Sequence, residues 1–159
     1  MIHTAEKIRA VTAAIAWRKR VSGRVVFTNG VFDLVHPGHV ELLEAARQEG
    51  AALIVGVNSD ASARRLGKGE GRPINDETAR ARVLAAFAAV DCVVFFDDDT
   101  PRELIESLEP DVLVKGADYA PDAIAGADLV LARGGRIVRV PFVTGFSTTS
   151  IVERLRAPS

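Results

Sequence analysis

Several features that would point to other classes of protein are scarce in this chain. Cys92 is the only cysteine, which argues against a disulfide framework and suits a reducing compartment. No apolar run approaches the roughly 18 residues that a membrane span needs, and the first residues lack the pattern of a signal peptide. The formal net charge of −1 gives no general attraction to nucleic acid or to an anionic membrane. We therefore expect a cytoplasmic protein that has neither a membrane nor a nucleic acid as its partner.

The length of the chain and the lack of repeats predict a single domain. Its 159 residues match the usual size of one domain with a substantial core, and no internal repeat or low-complexity segment interrupts them. We expect residues 1–22 to supply an N-terminal packing helix, since residues 4–20 have helical composition, and residues 23–156 to form the catalytic core. Apolar residues exposed on the N-terminal helix would favour a homodimer.

Five apolar segments alternate with segments of helical composition. The expected strands are residues 24–28, 51–57, 92–96, 111–114 and 136–140. The expected helices are residues 40–50, 76–89, 100–109, 122–132 and a last one that begins near Thr149 or Ser150, with Ser150 and Glu153 as a capping box. Residues 60–71 are basic and rich in glycine, which predicts a mobile loop. The alternation predicts an α/β fold, a Rossmann-like doubly wound five-stranded parallel sheet with helices on both faces and ligands beyond the carboxyl ends of its strands.

The most informative segment places two imidazoles where an apolar strand runs into a helix: residues 29–39, Asn-Gly-Val-Phe-Asp-Leu-Val-His-Pro-Gly-His. Pro37 suits the first position of that helix, where its missing N–H costs nothing. The free N–H groups and the dipole of a helix start attract a phosphate, and His36 and His39 can present their side chains to the same anion. The segment therefore indicates nucleotide chemistry.

Two other interpretations of the histidines compete with this one. A lone histidine in an apolar context is usually a packed or surface residue, but two of them bracketing Pro-Gly at a strand-to-helix junction favour a working pair. Zinc catalysis usually needs three protein ligands, and Cys92 lies apart in a hydrophobic stretch. We therefore expect no metal ligand among the side chains.

Four segments resemble the HxGH nucleotidyltransferase superfamily, and more closely the adenylyltransferases that make ADP-heptose from heptose 1-phosphate. They are residues 28–39, 57–62, 111–119 and 145–151, the last of which contains Ser-Thr-Thr. The resemblance implies transfer of AMP from ATP to a heptose 1-phosphate for lipopolysaccharide core or other glycan synthesis, with Mg²⁺ bound mainly through the triphosphate. Members of that branch are often fused behind a sugar-kinase domain, which this sequence does not contain, so we expect the stand-alone form.

The resemblance also implies a role for individual residues. The expected catalytic residues are His36, His39, Lys68 and Arg80. The expected nucleotide-binding residues are Thr28, Asn29, Gly30, Val31, Phe32, Gly38, Lys115, Gly116, Asp118, Ser147, Thr148 and Thr149. The expected substrate-binding residues are Asp33, Asn58, Asp60 and Arg72, with Asp33 acting as an orienting hydrogen-bond partner and not as a base. Two positions depart from the heptose branch, which usually has glycine at position 117 and a small residue at position 146, where this chain has Ala117 and Phe146.

Simpler explanations exist for some of these residues. Ser147, Thr148 and Thr149 would also serve as an ordinary helix cap, and a surface lysine or arginine is usually just solvated. Among enzymes, a cytidylyltransferase acting on glycerol 3-phosphate or a phosphorylated amino alcohol shares both motifs. Pantetheine-phosphate adenylyltransferase fits less well, because it usually has proline where Leu34 stands. A nucleotide-binding module without turnover would not need both His36–His39 and the Ser-Thr-Thr segment.

Overall fold

The sheet is the centre of the fold. The structure, a computed structural model, describes residues 3–158. Its five strands are all parallel and lie in the order β3-β2-β1-β4-β5. They are β1 (Val25–Gly30), β2 (Ala52–Asn58), β3 (Cys92–Phe96), β4 (Val112–Gly116) and β5 (Arg136–Val140). The predicted Rossmann-like parallel sheet is confirmed, and its strand order reverses between β1 and β4.

Helices cover both faces of the sheet. They are α1 (Val11–Arg18), α2 (Pro37–Gln48), α3 (Asp60–Arg65), α4 (Glu77–Ala86), α5 (Arg102–Leu108), α6 (Ala127–Ala132) and α7 (Thr148–Arg156), with short 3-10 helices at Thr4–Lys7 and Pro121–Ala123. Successive β1 side chains point to opposite faces, so Val25 and Phe27 join the core under α1, α5 and α6. Val26 joins the core under α2 and α4. Among residues 3–158, no helix combines the length and the apolar character that crossing a membrane requires.

The N-terminal segment is not the single helix that its composition predicts. The chain is extended between the 3-10 helix and α1, where Ile8 forms a parallel bridge with Val93 and the Arg9 N–H donates to the Val93 carbonyl at 2.9 Å. Ile8 packs against the core under α2 and α4, whereas Ala14 is buried in the core on the opposite face. A continuous helix could not pass around the sheet edge in this way, so the prediction for residues 4–20 was wrong.

Three further element boundaries differ from the predictions. Residues 60–65, expected in a mobile loop, form α3, because the Ser59 hydroxyl caps it by accepting from the Ser62 N–H at 3.0 Å. The expected helix 122–132 is interrupted at Gly126, whose φ of +82° separates Pro121–Ala123 from α6. Pro101, and not Thr100, is the cap residue of α5.

The capping box predicted for the last helix also lies elsewhere. Ser147 caps α7 by accepting from the Ser150 N–H at 3.0 Å, and the Ser150 hydroxyl accepts in return from the Ser147 N–H at 3.3 Å. The pair is therefore Ser147 and Ser150, one turn earlier than Ser150 and Glu153. The shift brings the Ser-Thr-Thr segment to the very start of the helix.

Candidate active site

His36 and Pro37 start α2 at the carboxyl end of β1. His36 is the cap residue, and its Nδ1 accepts a hydrogen bond from the Gly38 N–H at 3.1 Å. Pro37 occupies the start of the helix, as the sequence predicts. Because a neutral imidazole carries one proton, an accepting Nδ1 leaves that proton on Nε2. His36 therefore offers an Nε2–H donor at the start of the helix.

The two imidazoles stack on one another. Their ring centroids lie 3.9 Å apart with planes 26° from parallel, and the Phe32 ring lies tilted with its centroid 5.1 Å from that of His39. A Cβ at Gly38 would lie only 2.9 Å from Cε1 of His36, so glycine is needed beside this ring. Phe32 itself has a φ of +52°, an uncommon conformation for an aromatic residue and one that marks a constrained loop.

Both histidines are neutral near pH 7 in the free protein. Burial lowers the pKa of His36. Burial, together with the charge that His36 carries when protonated and the charge of Lys68, lowers the pKa of His39 to about 4. They are therefore suited to donate hydrogen bonds to an anion without first carrying a charge.

Two lysines bring positive charge to the same place. The Lys115 ammonium donates to the Asn29 carbonyl at 3.2 Å, across the point between β1 and β4 where strand order reverses, and lies 4.9 Å from the Tyr119 ring centroid. Burial, followed by the charge of Lys68, lowers the pKa of Lys115 to about 8. Since Lys68 also lowers the pKa of His39, its charge is felt by both. Lys115 thus lies at the end of β1, and the charge of Lys68 adds to a field that favours a polyphosphate.

The start of α7 adjoins the start of α2. The Thr148 hydroxyl donates to the Leu34 carbonyl at 3.2 Å, which ties the Ser-Thr-Thr segment to the β1–α2 connection. Thr149 is exposed beside it, and the Ser147 hydroxyl is occupied as the cap. Two helix N-termini therefore lie close together, and their dipoles favour an anion such as phosphate between them.

Three buried polar atoms in this region have no hydrogen-bond partner. Among residues 3–158, the buried side-chain atoms in this condition are Oγ1 of Thr28, Oδ1 of Asn29 and Nδ1 of His39. All three belong to the segment 28–39 that the sequence singles out. Buried polar groups are normally satisfied, so a cluster of unsatisfied ones indicates a place that a polar ligand completes.

The remaining residues expected to bind the nucleotide line the ends of β1 and β4. Gly30 ends β1, where a Cβ would meet the Phe32 ring at 3.1 Å, and Val31 is buried after it. At the end of β4, a Cβ on Gly116 would lie 3.1 Å from Oδ1 of Asp118 and 3.4 Å from the Phe142 ring. Phe142 is a residue that the sequence analysis missed, since nothing in its local pattern places it over β4.

Asp33 and Arg72, expected to bind substrate, bind each other instead. The Asp33 carboxylate accepts from Nε of Arg72 at 2.7 Å and from the N–H groups of Ile74 and Asn75 at 2.8 and 2.9 Å. Burial alone would raise the pKa of Asp33, but the N–H groups of Asn75 and Ile74 and the Arg72 guanidinium outweigh it and hold that pKa below its usual value. Asp33 is 3% exposed, so its geometry is that of an orienting residue.

Arg80 is also turned away from the site surface. Its guanidinium is wholly buried and donates to the carbonyls of Asn75, Val31 and Asn58 at 3.0, 2.7 and 2.9 Å, and to Asp60 at 2.8 Å. The Asn58 amide donates to the Ser62 hydroxyl. Arg80, Asn58 and the half-buried Asp60 therefore form a network behind the motif, in which protein acceptors take up the donors of Arg80. The sequence carried a signal for this, because Arg80 precedes Leu84 by one helical turn on the buried face of α4.

The donor set suits an anion better than a bare cation. Within residues 3–158, no three His, Cys, Asp or Glu side chains are grouped so as to hold a metal ion. Asp33 already has its carboxylate oxygens bonded, and the other side chains are imidazoles, ammonium groups and hydroxyls. A divalent cation would therefore reach this site on the phosphates of a ligand, as Mg²⁺ commonly does.

Comparisons with known proteins agree with this geometry. The pattern of the Cytidylyltransferase-like family matches residues 27–154. The chain is 56% identical over 147 residues to the Bifunctional protein HldE of Azorhizobium caulinodans, covering 92% of this chain and 30% of that protein. It is 58% identical over 139 residues to the Bifunctional protein HldE of Nitrobacter hamburgensis, covering 87% of this chain and 28% of that protein. The chain thus spans less than a third of the length of these relatives.

A solved structure shows the same fold. The lipopolysaccharide core biosynthesis protein from Thermoplasma volcanium GSS1 superposes with a TM-score of 0.62 and 26% identity, over 77% of this chain and 98% of that one. The family match covers most of the chain and includes both helix starts at the site. The chain therefore belongs to the cytidylyltransferase-like family.

Proposed function

We propose that this chain transfers AMP from ATP to a heptose 1-phosphate, forming ADP-heptose and pyrophosphate. The observation that carries the proposal is the meeting of two helix N-termini with the stacked pair His36 and His39, close to the Lys115 ammonium and within the electrostatic influence of Lys68. The choice of a heptose rests on the resemblance of residues 28–39 and 111–119 to ADP-heptose-forming adenylyltransferases. The identity of more than half to the HldE proteins supports it.

In the proposed reaction, a phosphate oxygen of the sugar 1-phosphate attacks the α-phosphorus of ATP. A bond forms between that oxygen and the α-phosphorus, while the bond to the bridging oxygen of the β-phosphate breaks and pyrophosphate leaves with its electron pair. The protein forms no covalent bond, so its work is placement and charge stabilisation. His36 would donate from Nε2 to a phosphate oxygen, and His39 would donate beside it. One such donor is worth about 2.7–4 kcal/mol of barrier.

We propose different roles for the four cations near the motif. Lys115 would bind phosphate oxygens from the end of β4, and Lys68 would do so as well, since its charge lowers the pKa of both His39 and Lys115. Arg80 would hold the β1–α2 connection in place, because its N–H groups are used by protein carbonyls and by Asp60. Arg72 is likewise occupied by Asp33. Mg²⁺ bound to the triphosphate would neutralise the leaving pyrophosphate, as nucleotidyl transfer generally requires.

The homodimer and the single domain that the sequence predicts remain predictions. The homodimer prediction requires exposed apolar residues in the N-terminal segment, and Val11 on α1 is exposed. Light scattering of the purified chain would measure its mass in solution, and a monomer at working concentration would contradict the homodimer.

The test of the proposed function is pyrophosphate release. The purified chain would be incubated with Mg²⁺, with ATP or CTP, and with heptose 1-phosphates of both anomers, glycerol 3-phosphate or a phosphorylated amino alcohol. We expect release with ATP and a heptose 1-phosphate, and far less with CTP. Equal or better use of CTP would move the chain to the cytidylyltransferases, and no release with any pair would leave a nucleotide-binding module. The variant with both His36 and His39 replaced by alanine supplies the background rate.

A further inference from the structure

Lys68 lies in a connection whose own backbone does little to fix it. The segment between α3 and α4, residues 66–76, is named here the Lys68 loop. Gly67, Gly69 and Gly71 have φ values of +65°, +125° and +72°, conformations that glycine adopts freely. At a Cβ position on Gly67 there is no neighbouring atom within 4 Å. Within the loop, the Arg156 guanidinium donates to the Glu70 carbonyl at 3.2 Å, but this contact is exposed. The position of Lys68 therefore depends mainly on how the two ends of the loop are held.

The end of the loop nearer to α3 is held at the surface. Nε of Arg65 donates to Asp99 at 2.8 Å, and the same guanidinium binds the Asp97 carbonyl. The Arg65 and Asp99 side chains are 46% and 74% exposed. An ion pair as exposed as this contributes little, so this anchor is weak.

The other end is held by a buried carboxylate. Asp33 accepts hydrogen bonds from Arg72, Ile74 and Asn75, and its own carbonyl accepts from the Asn75 amide at 2.8 Å. The Arg72 and Asp33 side chains are 8% and 1% exposed. A buried pair in which each partner is hydrogen-bonded holds its geometry, because separating it leaves an uncompensated charge.

Asp33 also belongs to the segment that carries the histidines. It stands three residues before His36, in the connection between β1 and α2. Arg80 supplies a second link, since it donates to the carbonyls of both Val31 in that connection and Asn75 in the loop. The Lys68 loop and the histidine segment are thus fastened together at two buried points.

We propose that Asp33 and Arg72 are positioning residues, which clasp the Lys68 loop to the histidine segment and so place the Lys68 ammonium on the phosphates without touching substrate themselves. That Lys68 binds phosphates rests on the proposed function, whereas the clasp rests on the hydrogen bonds of Asp33 alone. It gives the orienting role that the sequence implies for Asp33 a definite partner, and it replaces the substrate contact that the sequence implies for Arg72.

The first test is a double-mutant cycle on turnover. Asp33→Asn keeps the shape of the side chain and removes its charge, and we expect kcat to fall at least about tenfold with KM for the sugar phosphate changed less than about threefold. In a Lys68→Ala background, Asp33→Asn should cost less than about a further threefold, because the two residues act through one another. If the loss of kcat in the double variant equals the product of the losses in the two single variants, Asp33 acts independently of Lys68 and the proposal is overturned.

The second test needs no turnover. Trypsin cleavage after Lys68 in the free protein should be at least about fivefold faster in Asp33→Asn than in the wild type, because the buried anchor is lost and the loop opens more often. Arg72→Lys keeps the charge but loses the planar fork, and should cleave at an intermediate rate. Arg102→Gln is the matched control, since it breaks the exposed pair with Asp128 and should alter neither cleavage nor turnover.

The outcomes separate the clasp from the proposed function. Unchanged cleavage of Asp33→Asn would overturn the clasp even if the wild type makes ADP-heptose. A wild type that releases no pyrophosphate would refute the function, while faster cleavage of the variants would still support the clasp. If circular dichroism shows that Asp33→Asn does not fold, Arg72→Lys is compared with the wild type instead. A cleavage rate of Arg72→Lys equal to that of the wild type would then overturn the proposal.

Discussion

The Nδ1 atom of His36 accepts the hydrogen bond of the Gly38 N–H, so one imidazole both caps α2 and keeps its Nε2–H for a ligand. The two duties can be separated by substitution. Asparagine caps a helix well but cannot extend a donor to the position of Nε2, whereas alanine does neither. This separation allows a sharp test of the histidine pair.

We predict that His36→Ala, His36→Asn and His39→Ala each lose at least about a hundredfold in turnover, the usual cost of a transition-state donor. His36→Ala should also lose about 1 kcal/mol of stability through the missing cap, and His36→Asn should not. Pyrophosphate release and urea denaturation measure the two effects. Near-normal turnover of any of the three would make that histidine structural.

Lys68→Ala should impair turnover more than stability, because an exposed lysine contributes little to the fold. Lys19→Ala, an exposed lysine at the end of α1, is the control and should change neither. In the wild type, tryptic cleavage after Arg64, Arg65 or Lys68 should slow when ATP and Mg²⁺ are added, because closure of the loop shields these bonds. Unchanged cleavage with saturating nucleotide, together with full activity of Lys68→Ala, would contradict a role in catalysis.

The pKa of Lys115, lowered to about 8 chiefly by burial, predicts a pH dependence. The ammonium is charged below that pKa and neutral above it, so kcat/KM for ATP should fall as pH rises through about 8. Lys115→Arg should remove this decline, since arginine stays charged at any accessible pH. Lys68→Ala should move it to higher pH, because the charge of Lys68 also lowers the pKa of Lys115. A profile that stays flat to pH 9.5 or so in the wild type would show that Lys115 does not bind phosphate.

Replacing Arg80 should unfold the protein more than it changes the chemistry. Arg80→Met leaves the Asp60 carboxylate and three carbonyls without their donor, which should cost about 3–5 kcal/mol. Arg82→Met, two residues along the same helix and exposed, should cost less than about 0.5 kcal/mol. Urea denaturation gives both values. If Arg80→Met is stable but has much reduced turnover, Arg80 instead contacts the phosphates, as the sequence implies.

The sequence alone was enough for the five strands, for the start of α2 at Pro37 and for the segment of the two histidines. These features depend on neighbours a few residues apart, where hydrophobic period and capping rules operate. It failed at residues 4–20, because helical composition does not reveal that Ile8 pairs with the edge of β3. It also misplaced the cap of α7, where Ser147 and not Ser150 lies outside the helix.

Only the tertiary structure decided which polar residues face a ligand and which face each other. Asp33 meets Arg72 across 39 positions of the chain, and Arg80 meets the Val31 carbonyl across 49. A charged side chain in a motif has the same local pattern whether it binds substrate or a buried partner. Which partner such a side chain meets depends on how β1, α4 and the Lys68 loop pack together. That packing follows from the burial of apolar surface between residues far apart in the chain, which no local spacing encodes.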